Sequence, residues 1–284
     1  MFSSLRSKLL QAYIRAPEHP AKYRIIRWLG THVFPEQGIH CRVYPDASLL
    51  LHPRDWIEYL MLRGERYEPM TLDFVASNLR DGDVAVLAGV NMGLHVIVAA
   101  RSVGDNGLVV GIEPQPRTLL RAARNLRLNG LQGRTKLLSA ALGSREGLVS
   151  MAWANPDNPG AASLFDKGEG LTVCLVRLSQ VLDSLAPRRP RLLLLDVQGF
   201  EAAALAGLDE RNLPDILVVE MDLEFLGRAK VAPRTLLQTI VEMGYSIHAL
   251  DGAPASLDQE AFPERNVVCV RRDAAASWTT PTRK

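Results

Sequence analysis

Val84-Ala85-Val86-Leu87-Ala88-Gly89-Val90-Asn91-Met92-Gly93 carries five apolar residues straight into two glycines four positions apart. A run this short and apolar reads as a buried strand, and glycines directly after it permit the tight bend that turns a strand into a helix. Val96, Val98, Ala99 and Ala100 supply that helix. The alternation continues downstream, with apolar runs at 108–112, 136–140, 192–195, 216–219, 245–249 and 267–270, and helical stretches follow 84–88, 108–112, 192–195 and 216–219. Strands alternating with helices form βαβ units, so the expected architecture is α/β with a mostly parallel sheet. The clearest helix is 116–128: Pro116 stands in its first turn, Leu119, Ala122, Ala123 and Leu126 share a face, and Asn129-Gly130 stops it. Arg117, Arg121, Arg124 and Arg127 read as its solvated face.

Upstream of this frame, residues 53–79 read as helices broken at Gly64 and Pro69. Residues 41–44 and 48–51 form a small hairpin about Pro45-Asp46, and 21–29 a further helix. Residues 2–14 space Phe2, Leu5, Leu9, Leu10, Tyr13 and Ile14 helically among Arg6, Lys8 and Arg15. Such a basic amphipathic helix docks on its own domain or, through residues 2–15, lies loosely on an anionic membrane surface. Between 143 and 191 the pattern is interrupted by two strands, 148–153 and 172–177, around a turn-rich 155–160. A connection this long in a compact domain is a lid or binding loop. The expected organisation is a helical and hairpin extension over 1–60, a main domain over 61–271 and a frayed, flexible tail over 272–284.

The 284 residues, 47% hydrophobic with 33 Lys+Arg against 31 Asp+Glu, describe a globular chain whose core needs no disulfide or metal staple. A net charge of +2 and 6% aromatics give no basis for nucleic-acid binding. Within that balance, residues 1–30 hold six Lys/Arg and one Glu, leaving −3 for the rest. A slightly acidic main domain favours a neutral or cationic partner. Cys41, Cys174 and Cys269 are odd in number and form no C-x-x-C pair, which fits free thiols in a reducing compartment. No run reaches the roughly 18 apolar residues that span a bilayer, so the cytoplasm is the expected location.

Three places carry chemistry. Glycines in a first strand-to-helix turn let backbone N–H groups approach a ligand closely. Glu113-Pro114 ends the second run about twenty residues on, where an acidic side chain can accept both hydroxyl hydrogens of an adenosine ribose. Together they point to an adenosine-containing cofactor. The aliphatic run 192–195 ends in Asp196-Val197-Gln198-Gly199-Phe200-Glu201. A carboxylate and an amide at the mouth of a buried strand are costly unless they bind something, although an Asp there can also cap the next helix. Val218-Val219-Glu220-Met221-Asp222 repeats the arrangement less specifically. Asp196, Glu220 and Asp222 could offer oxygen ligands, but their spacing demands no metal and none is expected. His95, just after the glycine turn, reads as a structural helix residue.

Taken in order, these motifs resemble the FkbM family of S-adenosylmethionine-dependent methyltransferases. The resemblance rests on Gly64 with Tyr67-Glu68-Pro69, Gly82-Asp83 leading to Gly89-x-Asn91-x-Gly93, and Ile112-Glu113-Pro114-x-Pro116. It continues through Asn125-x-x-x-Asn129-Gly130-Leu131, 140–143, 160–164, Leu182-Asp183, Asp196-Val197-Gln198-Gly199-x-Glu201 and Val219-Glu220, covering about residues 60–225. It implies a class I methyltransferase (Rossmann-like) sheet of seven mostly parallel strands with the last antiparallel, helices on both faces, and O-methylation of a hydroxyl on a sugar, glycan or secondary metabolite. By position, Gly89, Asn91 and Gly93 line the cofactor's methionine part, Glu113 with Pro114 holds the ribose, and Ser139 and Ala140 flank the adenine. Asp196 and Gln198 face the transferring methyl, Asp196 also counting among the cofactor-binding residues, and Tyr67 and Glu68 are placed to close over the cofactor. The implied partner is a small hydroxylated molecule rather than nucleic acid, with self-association left open.

Two positions depart from the family pattern. Leu87 stands where an Asp is usual, and Leu194 replaces a Lys two residues before Asp196, leaving that carboxylate without an evident cation. These losses define the alternative, a catalytically degenerate binding or scaffolding protein on the same fold. A nicotinamide-dependent oxidoreductase is a weaker rival, because its turn would read G-x-G-x-x-G.

Overall fold

The computed structural model describes residues 9, 11–33, 38–152, 170–186, 188–259, 261–273 and 278–280, with side chains for all of these but 30–33. The chain opens with α1 (Lys22–Val33), the hairpin β1 (Ile39–Val43) and β2 (Ala47–Leu51), then α2 (Trp56–Arg63) and α3 (Pro69–Asn78). The main frame follows as β3 (Val84–Ala88), α4 (Leu94–Ser102), β4 (Leu108–Ile112), α5 (Pro116–Leu128) and β5 (Thr135–Leu138). Next come β6 (Ala141–Leu142), β7 (Gly147–Ala152), β8 (Gly170–Val176), α6 (Leu178–Asp183), β9 (Leu192–Leu195) and α7 (Glu201–Leu205). The chain closes with β10 (Ile216–Glu220), α8 (Leu223–Ala229), α9 (Pro233–Glu242), β11 (Tyr245–Ala249) and β12 (Asn266–Arg271).

Seven strands form one sheet in the order β11-β12-β10-β9-β3-β4-β5. β12 runs antiparallel to both neighbours, while β10, β9, β3, β4 and β5 pair in parallel. The central strands are buried on both faces, as a sheet covered by helices requires. Ala85, Leu87, Leu192, Leu194, Ile216 and Val218 join one core. Val84, Val86, Ala88, Leu193, Leu195, Leu217 and Val219 join the other. Strand order reverses between β3 and β9, so their carboxyl ends open the crevice where ligands bind in such sheets.

The amino-terminal hairpin is tied to that crevice through asparagines. Asn125 Oδ1 accepts from Leu50 N at 2.8 Å, and Asn129 exchanges two bonds with the backbone of Ser48 at 3.0 and 2.7 Å. Asn125 Nδ2 also donates to Met92 O at 2.8 Å, inside the glycine turn. One helix thus fixes both the extension and the turn.

All seven expected strands are present, with three local departures. The third of them, β5, ends at Leu138, because Ala141 and Leu142 swing away to pair with Leu175 and Val176 in a separate three-stranded sheet. Arg121 is not solvated; it pairs with Glu58, which is fully buried, and so clamps α2 to α5. In the tail, Asn78 exchanges bonds of 2.8 and 2.7 Å with the backbone of Thr279, and the Trp278 ring packs 5.0 Å from that of His248. Residues 278–280 are therefore docked. The amphipathic stretch 2–14 and the turn-rich 155–160 fall largely or wholly outside the described residues. Among the described residues no helix is long and apolar enough to cross a membrane.

Candidate active site

The turn after β3 and the loop after β9 meet backbone to backbone. Gly89 N donates to Ile112 O and Asp196 N to Ala88 O, each at 3.0 Å. Gly89 has φ +89°, and a Cβ there would lie 1.8 Å from the Asp196 carbonyl oxygen. Only glycine satisfies both the backbone angle and the approach. Gly93, φ +95°, caps the start of α4, and a Cβ there would lie 3.2 Å from Ala122.

Two connected spaces open from this crossing. The first is a slot of about 60 Å³ lined by Gly89, Asn91, Ile112, Glu113, Pro114, Ala140, Leu142, Met151, Asp196, Gln198 and Phe200. The second is a cavity of about 590 Å³ that shares Asn91, Asp196 and Gln198 with the slot and adds Tyr67, Glu68 and Glu220. Eight of the ten residues expected to bind a cofactor therefore line one space or the other. Gly93 acts through the turn, and Ser139 is exposed and lines neither.

In the slot, Glu113 Oε1 accepts from Gln115 N at 2.9 Å and Oε2 from Asn91 N at 3.4 Å. Burial pushes its carboxyl up to about 7, against the pull of those N–H groups and with a further push from the Asp196 charge. Ile112, Ala140, Leu142 and Met151 make the remaining walls apolar, a surface suited to a flat ring.

At the junction, Gln198 Nε2 donates to Asp196 Oδ1 at 2.7 Å and to Glu220 Oε2 at 3.2 Å. Burial raises both carboxyls. Glu220 rises much further because the Asp196 charge adds to its burial, so Glu220 holds a proton more tightly than Asp196 does. Glu201 Oε1 pins the loop beneath, accepting from Val197 N at 3.0 Å and Gly199 N at 3.2 Å. Asp196 is not the cap of α7.

A basic side chain reaches the site from α4. His95 Nε2 lies 3.2 Å from Glu68 Oε2. Burial alone would lower the imidazole, but Glu68, with Asp196 and Glu264, reverses this and raises it, and its charge in turn lowers Asp196. His95 thus faces the carboxylate of Glu68 at the site rather than only filling a helix face. Leu87 and Leu194 are core residues and line neither space.

The outer wall of the cavity comes from Glu65, Asp222, Glu224, Glu264 and Arg265. Glu264 accepts from Met70 N, Thr71 N and Thr71 Oγ1 at 2.9, 2.7 and 2.8 Å, capping α3 just past Glu68. Arg265 pairs with Asp222, which caps α8. Glu264 and Arg265 had no sequence signal, since they reach the site from the turn before β12. Glu68, Asn91, Gln198, Glu264 and Arg265 all hold positive φ, five of the seven non-glycine residues that do so among those described. Such strain gathers where surrounding structure enforces a functional geometry. No group of three or more His, Cys, Asp or Glu side chains among the described residues is arranged to hold a metal.

The sheet order, the antiparallel β12 and the glycine turn at the switch point define a class I methyltransferase of Rossmann-like fold. The sequence profile of the methyltransferase FkbM domain matches residues 88–247, more than half the chain, and the protein belongs to that family. S-adenosylmethionine is its cofactor. Solved structures similar to this chain include a SAM-dependent O-methyltransferase from Thermotoga maritima, 14% identical over 82% of this chain and 77% of that one, with a TM-score of 0.43. A methyltransferase from Geobacter sulfurreducens is 16% identical over 73% and 79%, with a TM-score of 0.43. An rRNA methylase from Streptococcus thermophilus is 15% identical over 73% and 97%, with a TM-score of 0.41. No curated protein matches the chain.

Proposed function

We propose that the protein transfers the methyl group of S-adenosylmethionine to a hydroxyl of a sugar, glycan or secondary metabolite. The observation that carries this reading is the Asp196–Gln198–Glu220 bridge, set where the slot meets the large cavity. The residues present fit the cofactor. Asn91 Oδ1 is buried without a hydrogen-bond partner and requires a donor, and Glu113 offers acceptor oxygens to a ribose diol. In this reading Glu113 and Pro114 hold the ribose, Ser139 and Ala140 border the adenine, and Gly89, Asn91 and Gly93 line the methionine part. Tyr67 and Glu68 close over it.

When bound, the cofactor supplies an electrophilic methyl group; the protein must align the acceptor oxygen, exclude water and take a proton. Asp196 takes the proton from the acceptor hydroxyl. Its raised pKa makes it a stronger base than an ordinary Asp, and the proton held by Glu220 keeps the pair from carrying two charges. Gln198, its amide fixed between the two carboxyls, orients the acceptor. Asp196→Asn is expected to lower turnover about a hundredfold or more, with S-adenosylhomocysteine affinity held within a few fold. Methyl transfer to hydroxylated acceptors, measured beside cofactor binding, checks this; full turnover in the variant contradicts it.

The degenerate alternative draws no support from Leu87 and Leu194, which pack in the core and leave the lining groups intact. The acidic cavity supports a small-molecule acceptor over nucleic acid, whose phosphates it would repel. Free thiols at Cys41, Cys174 and Cys269 are in keeping with a cytoplasmic setting.

A further inference from the structure

The large cavity does not end at its carboxylates. Its wall also includes Trp56, the first residue of α2, whose side chain is left 46% exposed. Trp56 lines a second hollow as well, of about 420 Å³, whose other walls are Glu18, His19, Pro20 and Tyr23. Both hollows have the size of small-molecule sites, and one exposed indole belongs to the two of them.

That indole is held in place. The Tyr23 ring meets it edge-on with centroids 4.8 Å apart, and the Tyr59 ring lies 5.7 Å from it and 5.0 Å from Tyr23. Each tyrosine is anchored in turn, Tyr23 Oη donating to Arg54 O at 2.7 Å and Tyr59 Oη to Glu18 Oε1 at 2.5 Å. Arg63 Nη1 fixes the same Glu18 oxygen at 2.8 Å, and Tyr13 Oη lies 2.9 Å from His19 Nε2. Tyr23 and Tyr59 already join α1 to α2, so packing alone does not require an exposed indole beside them. A flat ring immobilised before binding, with polar groups fixed at its edge, loses little freedom when a ligand lands on it.

Resting on the methyltransferase reading, and within it on a sugar acceptor, we propose that the acceptor is a glycan of at least two rings. The ring to be methylated occupies the large cavity with its hydroxyl at Asp196, and the next ring stacks on Trp56 over the second hollow. A pyranose shows a face of C–H groups and a rim of hydroxyls. The indole takes the face, while the Glu18 carboxylate and the His19 imidazole meet the rim.

The test uses the full chain saturated with S-adenosylhomocysteine. It is titrated by calorimetry with glucose, mannose, galactose, rhamnose and N-acetylglucosamine, and with di- and trisaccharides of each. 4-Nitrophenyl glycosides of the same sugars put a flat aromatic ring where the second sugar would lie. At least one oligosaccharide is expected to bind about tenfold or more tightly than its monosaccharide. Trp56 is half exposed, so its variants are expected to fold, and unchanged S-adenosylhomocysteine affinity checks that they do. In Trp56→Ala the preference should fall to within about twofold, and in Trp56→Phe most of it should return. Monosaccharides binding as tightly as their oligomers, a preference that survives Trp56→Ala, nitrophenyl glycosides binding more tightly than every oligosaccharide, or no sugar binding to the loaded protein would each overturn the proposal. Failure to bind S-adenosylhomocysteine would instead overturn the reading on which it rests.

Discussion

The slot and the cavity beside it are built by opposite means. The slot is narrow, its only carboxylate of its own is Glu113, and its walls are apolar side chains and backbone set within a few residues of the ends of β3, β4, β5 and β9, with Met151 added from β7. The cavity is roomier and rich in carboxylates, and its walls converge from residues 56–68, 196–198, 220–225 and 264–265. Shape and backbone define the first, charge the second. A cofactor site can be written in short local motifs because one set of strand ends supplies it. An acceptor site assembled from distant segments can change its charge without disturbing them.

The most severe way to break this contrast is to remove the contact that both spaces share. Gly89→Ala places a methyl group on the Asp196 carbonyl at an unfavourable φ, and is expected to cost about 3 kcal/mol or more of stability with loss of S-adenosylhomocysteine binding. Chemical denaturation and calorimetry measure both; a stable, cofactor-binding variant would show that the two loops separate freely. A smaller effect is expected at Glu113→Ala, which strips the slot of its own carboxylate. Cofactor affinity should fall about tenfold while the affinity for a cavity ligand stays unchanged. Equal losses at both sites, read by the same titrations, would mean that slot and cavity act as one.

The smallest expected effect is on stability against pH. Burial pushes Glu58, Glu113 and Glu201 up to about 7, from 4.5 when unfolded. The folded state holds these protons more tightly, so stability falls as pH rises through that window. His52, pushed down to about 4 by burial, opposes this by costing stability as pH falls below 6.5. Three carboxyls outweigh one imidazole, and the protein is expected to melt at a lower temperature at pH 8 than at pH 5.5. Glu201→Gln should flatten that slope, because Oε1 alone accepts from Val197 and Gly199 and an amide oxygen can take its place. Parallel melting curves in the two proteins would contradict the assignment.

Legibility in the sequence followed the same division. The runs at 84–88, 108–112, 192–195 and 245–249 are strands with those bounds, since an apolar run between turn signals leaves a buried strand little freedom. The run at 136–140 lost its end to a second sheet, because Ala140-Ala141-Leu142 is as apolar as the strand it follows and only tertiary pairing decides its partner. Gly89, Glu113 and Asp196 were legible as strand-end residues. His95 was not, for its helical spacing hides the fact that Glu68 lies across from it. Glu264 and Arg265 were not either, since their place depends on a contact with Met70 and Thr71, more than 190 residues away.

The central claim is that the crossing of the two loops makes a cofactor site despite Leu87 and Leu194. Isothermal titration of the full chain with S-adenosylhomocysteine tests it most directly. One molecule bound per chain, with affinity reduced in Glu113→Ala, is the predicted result; no binding by the folded wild-type protein would contradict the account.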